Sequence, residues 1–141
     1  MLRITVGDLA FSARLEEATA PATCAALSRL LPLEGRLLQA RWSGEAAWIP
    51  LGDLELGLRW ENATSHPAPG QLLLYPGGYS ETEILFAYGA ASFASRLGQL
   101  AGNHFATLVS GTESLGEMGR RVLWEGAQPV RIEGDGAAPP A

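Results

Sequence analysis

At 141 residues the chain has the length of one domain, which can bury a sizeable core without disulfides or a metal. Apolar residues make up 47% and charged residues 18%, the balance of a folded protein rather than a disordered or collagenous one. The net charge is −5, all ten basic residues are arginines, and no basic cluster is denser than Arg120-Arg121, so a nucleic-acid partner is not expected.

The single cysteine, Cys24, cannot form an internal disulfide and is predicted to be a small core residue in a helix. This cysteine usage fits a reducing, cytoplasmic location. No basic-then-apolar leader opens the sequence, and no run approaches the roughly 20 apolar residues that a membrane span needs, so no membrane association is expected.

The first predicted elements are a hairpin and a helix. "RITVGDLAFSARL" alternates apolar and polar residues on either side of Gly7-Asp8, which predicts two strands joined by a tight turn. "TAPATCAALSRLLP" then changes to a helical period, with Thr19 as the expected N-cap and Pro21 in the first turn. Pro32 and Gly35 are expected to end this helix.

The central part of the chain returns to a period of two. "RLLQARWS", "AAWIPL" and "LELGLRW" are predicted strands, separated at Ser43-Gly44 and Gly52-Asp53. "ENATSHPAPG" has the composition of a loop. "QLLLYP" and "TEILFAYG" follow as buried strands, joined by "YPGGYSE", which is predicted to be a hairpin connection or a mobile lid.

The last third of the chain is predicted to contain a short helical or 3₁₀ segment in "SFASRLGQL", a strand in "NHFATLVS", a helical turn in "ESLGEMGRR" and a final strand in "VLWEGAQPVRIE". Residues 134–141 are an expected disordered tail. The fold class predicted for residues 1–133 is mostly β: a closed antiparallel barrel of about eight strands whose ends are plugged by two short helices.

Three segments, in this order and spacing, resemble the cyclophilins. They are "FSARLEEATAPATCAALSRLL", "PGQLLLYPGGYSETEILFAYG" and "LAGNHFATLVSGTESLGEMGRRV", which together span most of residues 10–122. The chain is similar above all to the bacterial cyclophilin-like proteins that have no assigned activity. The resemblance implies a cyclophilin-like barrel.

The cyclophilin resemblance also implies where a prolyl isomerase site would lie. His104 matches the family's histidine, whereas Gln99 and Asn103 replace its tryptophan and lysine. Glu83 replaces the family's glutamine and Leu85 its second phenylalanine. The proline pocket has therefore become partly acidic, which argues against full isomerase activity.

The arginine of the family's isomerase site has two possible registers in this chain. One register places Arg41 there, and the other places Ala47 or Trp48. A positioned arginine stabilises the twisted amide of prolyl isomerisation, and losing one such preorganised donor costs roughly 3–4 kcal/mol. The sequence alone leaves the register open.

We expect a ligand-binding pocket on the barrel face that binds or transforms a small carboxylate- or amide-bearing metabolite or a short peptide. Its expected lining is Arg41, Trp48, Tyr75, Glu83 and His104. Two alternatives remain, a peptidyl-prolyl isomerase and a non-catalytic interaction or oligomerisation module. No cofactor or metal site is expected, because the two histidines and one thiol lack ligand spacing.

Several further side chains have two interpretations. His104 is expected to share a pocket with Glu83, whose carboxylate would raise the imidazole pKa; alternatively, it is sealed against a turn carbonyl. Glu81 and Glu83 lie two apart on a strand and would form either a solvated edge pair or an acid–base pair. His66 is expected in a solvated loop. The other tryptophans, Trp42, Trp60 and Trp124, are expected in the core.

Overall fold

The computed structural model describes residues 1–134. Within this range the chain forms eleven strands and two α-helices. In chain order they are β1 (Leu2–Val6), β2 (Leu9–Leu15), α1 (Pro21–Leu30), β3 (Leu33–Gln39), β4 (Gly44–Gly52), β5 (Ala63–Thr64), β6 (Gln71–Tyr75), β7 (Thr82–Ala91), β8 (Ala94–Ser95), β9 (Gly98–Gln99), β10 (Gly102–Ser110), α2 (Leu115–Trp124) and β11 (Gln128–Gly134). A 3₁₀ turn at Thr112–Ser114 leads into α2.

Eight strands form a closed antiparallel barrel. Their order is β2, β1, β11, β3, β4, β7, β6 and β10, and β2 also pairs with β10, which closes the ring. The two-residue β5 extends the sheet beside β10, while β8 and β9 form a separate hairpin. The predicted closed cyclophilin-like barrel of eight strands is therefore confirmed.

The barrel interior is filled by alternate residues of its strands. In β7, Ile84 and Phe86 point inward and are fully buried, because successive side chains of a strand face opposite sides. The helices add Leu27 from α1 and Met118 from α2 to the same core. The helices thus cover the core, and α2 packs against β3, β4 and β7.

A second, smaller apolar cluster lies on the outer face of the barrel. It contains Leu73 and Tyr75 of β6 and Leu85 of β7, which alternate with the inward-facing residues of those strands. Phe93 and Leu100, which flank the β8–β9 hairpin, cover them from outside. This cluster anchors the hairpin against the barrel wall and provides the base on which the candidate site is built.

The strand predicted in "LELGLRW" does not form. Residues 54–60 are irregular, although Leu56 and Leu58 pack against the main core. The Thr82 hydroxyl donates to the carbonyl of Leu54 at 2.7 Å, and Gly57 has a φ of 65°. The alternating leucines therefore reflect packing of an irregular segment onto the core and not membership of the sheet.

Two assignments near the C-terminal end also differ from expectation. The sequence predicts a helical segment in "SFASRLGQL", but this segment forms the β8–β9 hairpin, whose turn is followed by Gly98 at a φ of 127°. Helix α2 continues to Trp124, into the segment predicted to be strand, and β11 begins only at Gln128. Gly134 is the last residue of β11, and the rest of the expected tail lies outside the described residues.

The tryptophans expected in the core are exposed. The exposed fractions are 56% for Trp42, 56% for Trp60 and 77% for Trp124. Trp42 lies in the turn before β4, Trp60 lies in the irregular segment, and Trp124 ends α2, so none of them occupies an inward-facing strand position. Among residues 1–134, no helix is both long enough and apolar enough to span a membrane.

Candidate functional site

A cavity of about 220 Å³ opens on the outer face of the barrel. It lies where the turn between β3 and β4 and the β8–β9 hairpin meet the outward-facing residues of β4 and β7. Its lining consists of Ala40, Arg41, Trp42, Ser43, Trp48, Ser80, Glu83, Ala94, Ser95 and Arg96. The volume is smaller than the roughly 300–1,000 Å³ of pockets for drug-sized ligands, and it suits a small metabolite.

Ser43 fixes one wall of the cavity to the other. Its hydroxyl donates to the carbonyl of Ala94 at 3.1 Å and accepts the backbone N–H of Ala94 at 3.1 Å. Its carbonyl accepts the N–H of Ser92 at 2.9 Å. The buried Ser43 therefore holds the β3–β4 turn and the β8–β9 hairpin at a fixed separation.

Two arginines stand at the rim of the cavity. Arg41 belongs to the β3–β4 turn, and Arg96 belongs to the turn of the β8–β9 hairpin. Both are exposed, and neither forms an ion pair with any residue in the range 1–134. The guanidinium of Arg41 stacks on the ring of Trp42, 5.9 Å from its centroid. Two cationic groups thus remain available to an anionic ligand.

Trp48 and Glu83 reach the cavity from two neighbouring strands. Trp48 pairs in register with Leu85, and Glu83 pairs with Pro50 on one side and Tyr75 on the other. All these outward positions alternate with inward core residues, which is why they share one face. The cavity lining therefore includes an indole and a carboxyl group.

The Glu83 carboxyl is buried without a partner. Glu83 is only 8% exposed, and no residue in the range 1–134 donates a hydrogen bond to its carboxyl group. Burial, with a smaller contribution from the charge of Glu81, raises its pKa from 4.5 to about 8. At neutral pH Glu83 is therefore largely protonated. Glu81 is an exposed residue of the loop that precedes β7.

Tyr75 lies beside Glu83 but supports the cavity rather than lining it. Its ring packs edge-on against Phe93, with centroids 5.9 Å apart. Its hydroxyl accepts the backbone N–H groups of Tyr79 and Ser80, both at 3.1 Å. The connection "YPGGYSE" is thereby tied down on the side of the cavity that Ser80 lines.

His104 lies elsewhere, on β10. Its Nε2 is 2.8 Å from the hydroxyl of Thr107, which itself donates to Glu16 at 2.8 Å, so Nε2 is the donor in the first bond. The expected increase of the His104 pKa is wrong. Burial lowers the His104 pKa, and the smaller effect of the Glu16 charge raises it. The carboxylate that acts on this imidazole is therefore Glu16 and not Glu83. Among residues 1–134, the cavity lining does not include His104.

The structure thus brings together three of the five expected site residues, Arg41, Trp48 and Glu83. Of the two registers for the cyclophilin arginine, one places it at Arg41 in the β3–β4 turn and the other at Ala47 or Trp48 on β4, and both Arg41 and Trp48 line the cavity. Sequence reasoning missed Arg96, because "SFASRLGQL" has the pattern of a short helix. The glycine at position 98, two residues after Arg96, is the signal that could have indicated a hairpin turn.

The remaining candidate groups do not form a site. His66 is exposed, as expected for a loop residue. Cys24 is buried and donates weakly to the carbonyl of Phe105, and burial raises its pKa to about 11, which makes the thiol unreactive. Within the described part of the chain, no three His, Cys, Asp or Glu side chains come together as a metal site.

The fold and the cavity define a class: a cyclophilin-like barrel with a small, partly polar cavity on its outer wall. The chain belongs to the family described as "Protein of unknown function (DUF3830)", whose family model matches residues 2–133. No curated protein is similar enough in sequence to be identified as a relative.

Six chains of solved structures are similar to this chain. One belongs to a structure described as "Structure of McbB in complex with tryptophan", with a TM-score of 0.76 and 20% sequence identity. The similarity covers 100% of this chain and 47% of McbB, so this chain spans about half the length of that protein. At this identity the similarity shows a shared fold.

Proposed function

We propose that the cavity binds a small organic molecule that carries a carboxylate, with Arg41 and Arg96 holding that group and Trp48 packing against the rest. The observation that carries this proposal is the pair of arginines without ion-pair partners, within residues 1–134, at the rim of one open cavity. Arginine pairs with carboxylates through two parallel hydrogen bonds, which gives both strength and orientation.

The composition of the cavity supports the same class of ligand. Trp48 offers an aromatic face, and Ser80 and Ser95 offer hydroxyl groups that can fix orientation. The McbB structure is a complex with tryptophan, a molecule that combines a carboxylate with an aromatic ring. A short peptide with a free C-terminal carboxylate presents the same group. The cytoplasmic location that the sequence favours would supply such metabolites and stays a prediction.

Binding of carboxylates tests the proposal directly. We expect benzoate, phenylacetate, indole-3-acetate or tryptophan at millimolar concentration to raise the melting temperature, because a ligand that binds only the folded state stabilises it. Replacing Arg41 or Arg96 by Ala should weaken binding by about tenfold or more, the effect of losing one charged hydrogen bond. Arg36→Ala is the matched control, because Arg36 is exposed on β3 outside the cavity.

Two results would overturn the proposal. One is the absence of any thermal shift with all four carboxylates. The other is equal binding by wild type, Arg41→Ala and Arg96→Ala, which would place the carboxylate elsewhere. Acceleration of Xaa-Pro exchange in a tetrapeptide, lost in Arg41→Ala, would instead favour a prolyl isomerase.

A further inference from the structure

The strongest remaining feature of the molecule is the Glu83 carboxyl group at the cavity. As a residue Glu83 is 8% exposed, and its carboxyl group receives no hydrogen bond from residues 1–134. In the same range, every fully buried side-chain oxygen or nitrogen has a hydrogen-bond partner. The carboxyl oxygens of Glu83 must therefore keep an opening, and Glu83 lines the cavity.

The charges around Glu83 do not compensate a carboxylate. Arg41 from the β3–β4 turn and Arg96 from the β8–β9 hairpin share the cavity but form no ion pair with it. Tyr75 faces it from β6, with a hydroxyl already engaged by the loop, and Glu81 adds a like charge nearby. A carboxyl group that is buried without a counter-ion is held in its neutral form.

A neutral carboxyl group has a distinct recognition chemistry. Its O–H donates and its carbonyl oxygen accepts, side by side in one plane. A primary amide presents the complementary pair, an accepting C=O beside a donating N–H. A carboxylate offers acceptors alone and an ammonium offers donors alone, so neither satisfies both atoms of a neutral carboxyl.

We propose that Glu83 recognises a primary amide through two parallel hydrogen bonds, so that the cavity takes a small molecule with a carboxylate at one end and an uncharged amide at the other. This inference rests on the proposed function, because the arginines at the rim must hold the carboxylate. Glu83 then sets specificity at the inner end, and the volume of about 220 Å³ restricts the ligand to a short spacer.

Two matched series of probes test this specificity by isothermal titration calorimetry at pH 6.5. The short series is succinamate, monomethyl succinate and 4-aminobutanoate; the aromatic series is 4-carbamoylbenzoate, monomethyl terephthalate and 4-(aminomethyl)benzoate. In the series whose spacer fits, the amide should bind at least tenfold more tightly than the ester and the amine. Titrations in two buffers of different ionisation enthalpy should show no net proton exchange.

Variants of Glu83 give a second readout. Glu83→Gln keeps a donor beside an acceptor and should bind the amide within threefold of wild type, whereas Glu83→Met should lose the preference for the amide over the ester. Glu81→Gln is the matched control, because Glu81 is exposed and outside the cavity lining. Circular dichroism of each variant establishes that the fold is retained.

The possible failures are distinguishable. Tightest binding of the amine, with proton release and with loss of binding in Glu83→Gln, would mean that Glu83 acts as a carboxylate and would overturn the inference. Equal binding of amide and ester would also overturn it. Either of these two results would overturn the role of Glu83 but would leave the proposed binding of a carboxylate by Arg41 and Arg96 standing. If no member of either series binds to the wild type, the proposed function fails together with the inference.

Discussion

The carboxylate of Glu61 accepts two hydrogen bonds from Thr23, one from its backbone N–H at 2.5 Å and one from its hydroxyl at 2.6 Å. Thr23 lies in the first turn of α1, where backbone N–H groups have no partner within the helix. The sequence predicts Thr19 as the cap of this helix, but the N-cap position is Ala20, whose side chain makes no capping bond. A residue 38 positions away supplies the cap instead.

Glu61→Ala should lower the free energy of unfolding by about 1–2 kcal/mol, the usual cost of removing a helix cap. The negative charge of Glu61 also interacts favourably with the N-terminal end of the helix dipole. Urea denaturation of the variant measures the effect. Glu55→Ala is the control, because Glu55 lies in the irregular segment 54–60 that precedes Glu61 and is exposed. An equal loss in both variants would contradict this role.

Glu83 should make the protein less stable as the pH rises from about 4.5 to about 8. Burial raises its pKa from 4.5 to about 8, so in this interval the folded chain holds a proton that the unfolded chain has released. Stability then falls with pH by up to about 1.4 kcal/mol per pH unit and no longer changes through this group above pH 8. Glu83→Gln removes this contribution.

Urea denaturation at pH 5, 6, 7 and 8 should therefore show Glu83→Gln gaining stability relative to wild type as the pH rises. Glu81→Gln serves as the comparison, because Glu81 is exposed and acts on Glu83 only through its charge. Its curve should keep most of the pH dependence of wild type, because burial is the larger cause of the raised Glu83 pKa and the charge of Glu81 the smaller one. Parallel curves for wild type and Glu83→Gln would show that the buried carboxyl is not protonated in the folded state.

His104 should titrate below the ordinary histidine pKa of 6.5, because burial disfavours its charged form. Glu16 opposes this effect, so Glu16→Gln should lower the His104 pKa further, whereas Glu83→Gln should leave it unchanged. Histidine NMR titrations of the three proteins measure both effects. A decrease of the His104 pKa in Glu83→Gln would contradict this expectation and would support the shared pocket of His104 and Glu83 that the sequence predicts.

Two glycines of α2 should respond with opposite signs to replacement by alanine. A Cβ atom at Gly119 would lie 2.2 Å from a ring carbon of Tyr88, so Gly119→Ala forces the helix away from β7 and destabilises the protein. At Gly116 nothing lies within 4 Å. Gly116→Ala should stabilise the protein by about 0.5–1 kcal/mol through helix propensity, and thermal denaturation of both variants tests the contrast.

Tyr75→Phe should loosen the loop beside the cavity without removing the aromatic packing. The variant loses the acceptor for the N–H groups of Tyr79 and Ser80. Amide hydrogen exchange at these two positions should accelerate by about fivefold, which corresponds to the roughly 1 kcal/mol of a typical hydrogen bond. The amide of Leu100, bonded to the carbonyl of Phe93, should keep its rate.

The barrel could be predicted because its strands carry strong local signals. "TEILFAYG" and "NHFATLVS" are apolar runs of strand length that form β7 and β10, and the cyclophilin resemblance supplied their order. The wrong predictions of secondary structure share one cause, because tertiary packing determines the conformation of segments whose local pattern is ambiguous. Leu56 and Leu58 alternate like strand residues but pack as an irregular segment, and Arg96 was hidden within an apparent helix.

The candidate site could be predicted only in part for a related reason. Arg41, Trp48 and Glu83 could be recognised as cavity residues because outward positions of neighbouring strands share a face. The sequence predicts His104 at the same site because its turn resembles the turn that carries the cyclophilin histidine. A register shift in β10 between His104 and Ala106 changes the alternation at this point, and no local pattern in the sequence reveals such a bulge.

The position of β11 has a consequence for how the protein is made. This strand, the last one in the described chain, lies between β1 and β3, both of which come from the N-terminal third of the sequence. The ring of strands therefore cannot be completed while residues 128–134 are still inside the ribosome. The barrel acquires its cooperative stability only after synthesis has passed this point, and the nascent chain exposes the inner faces of its earlier strands until then.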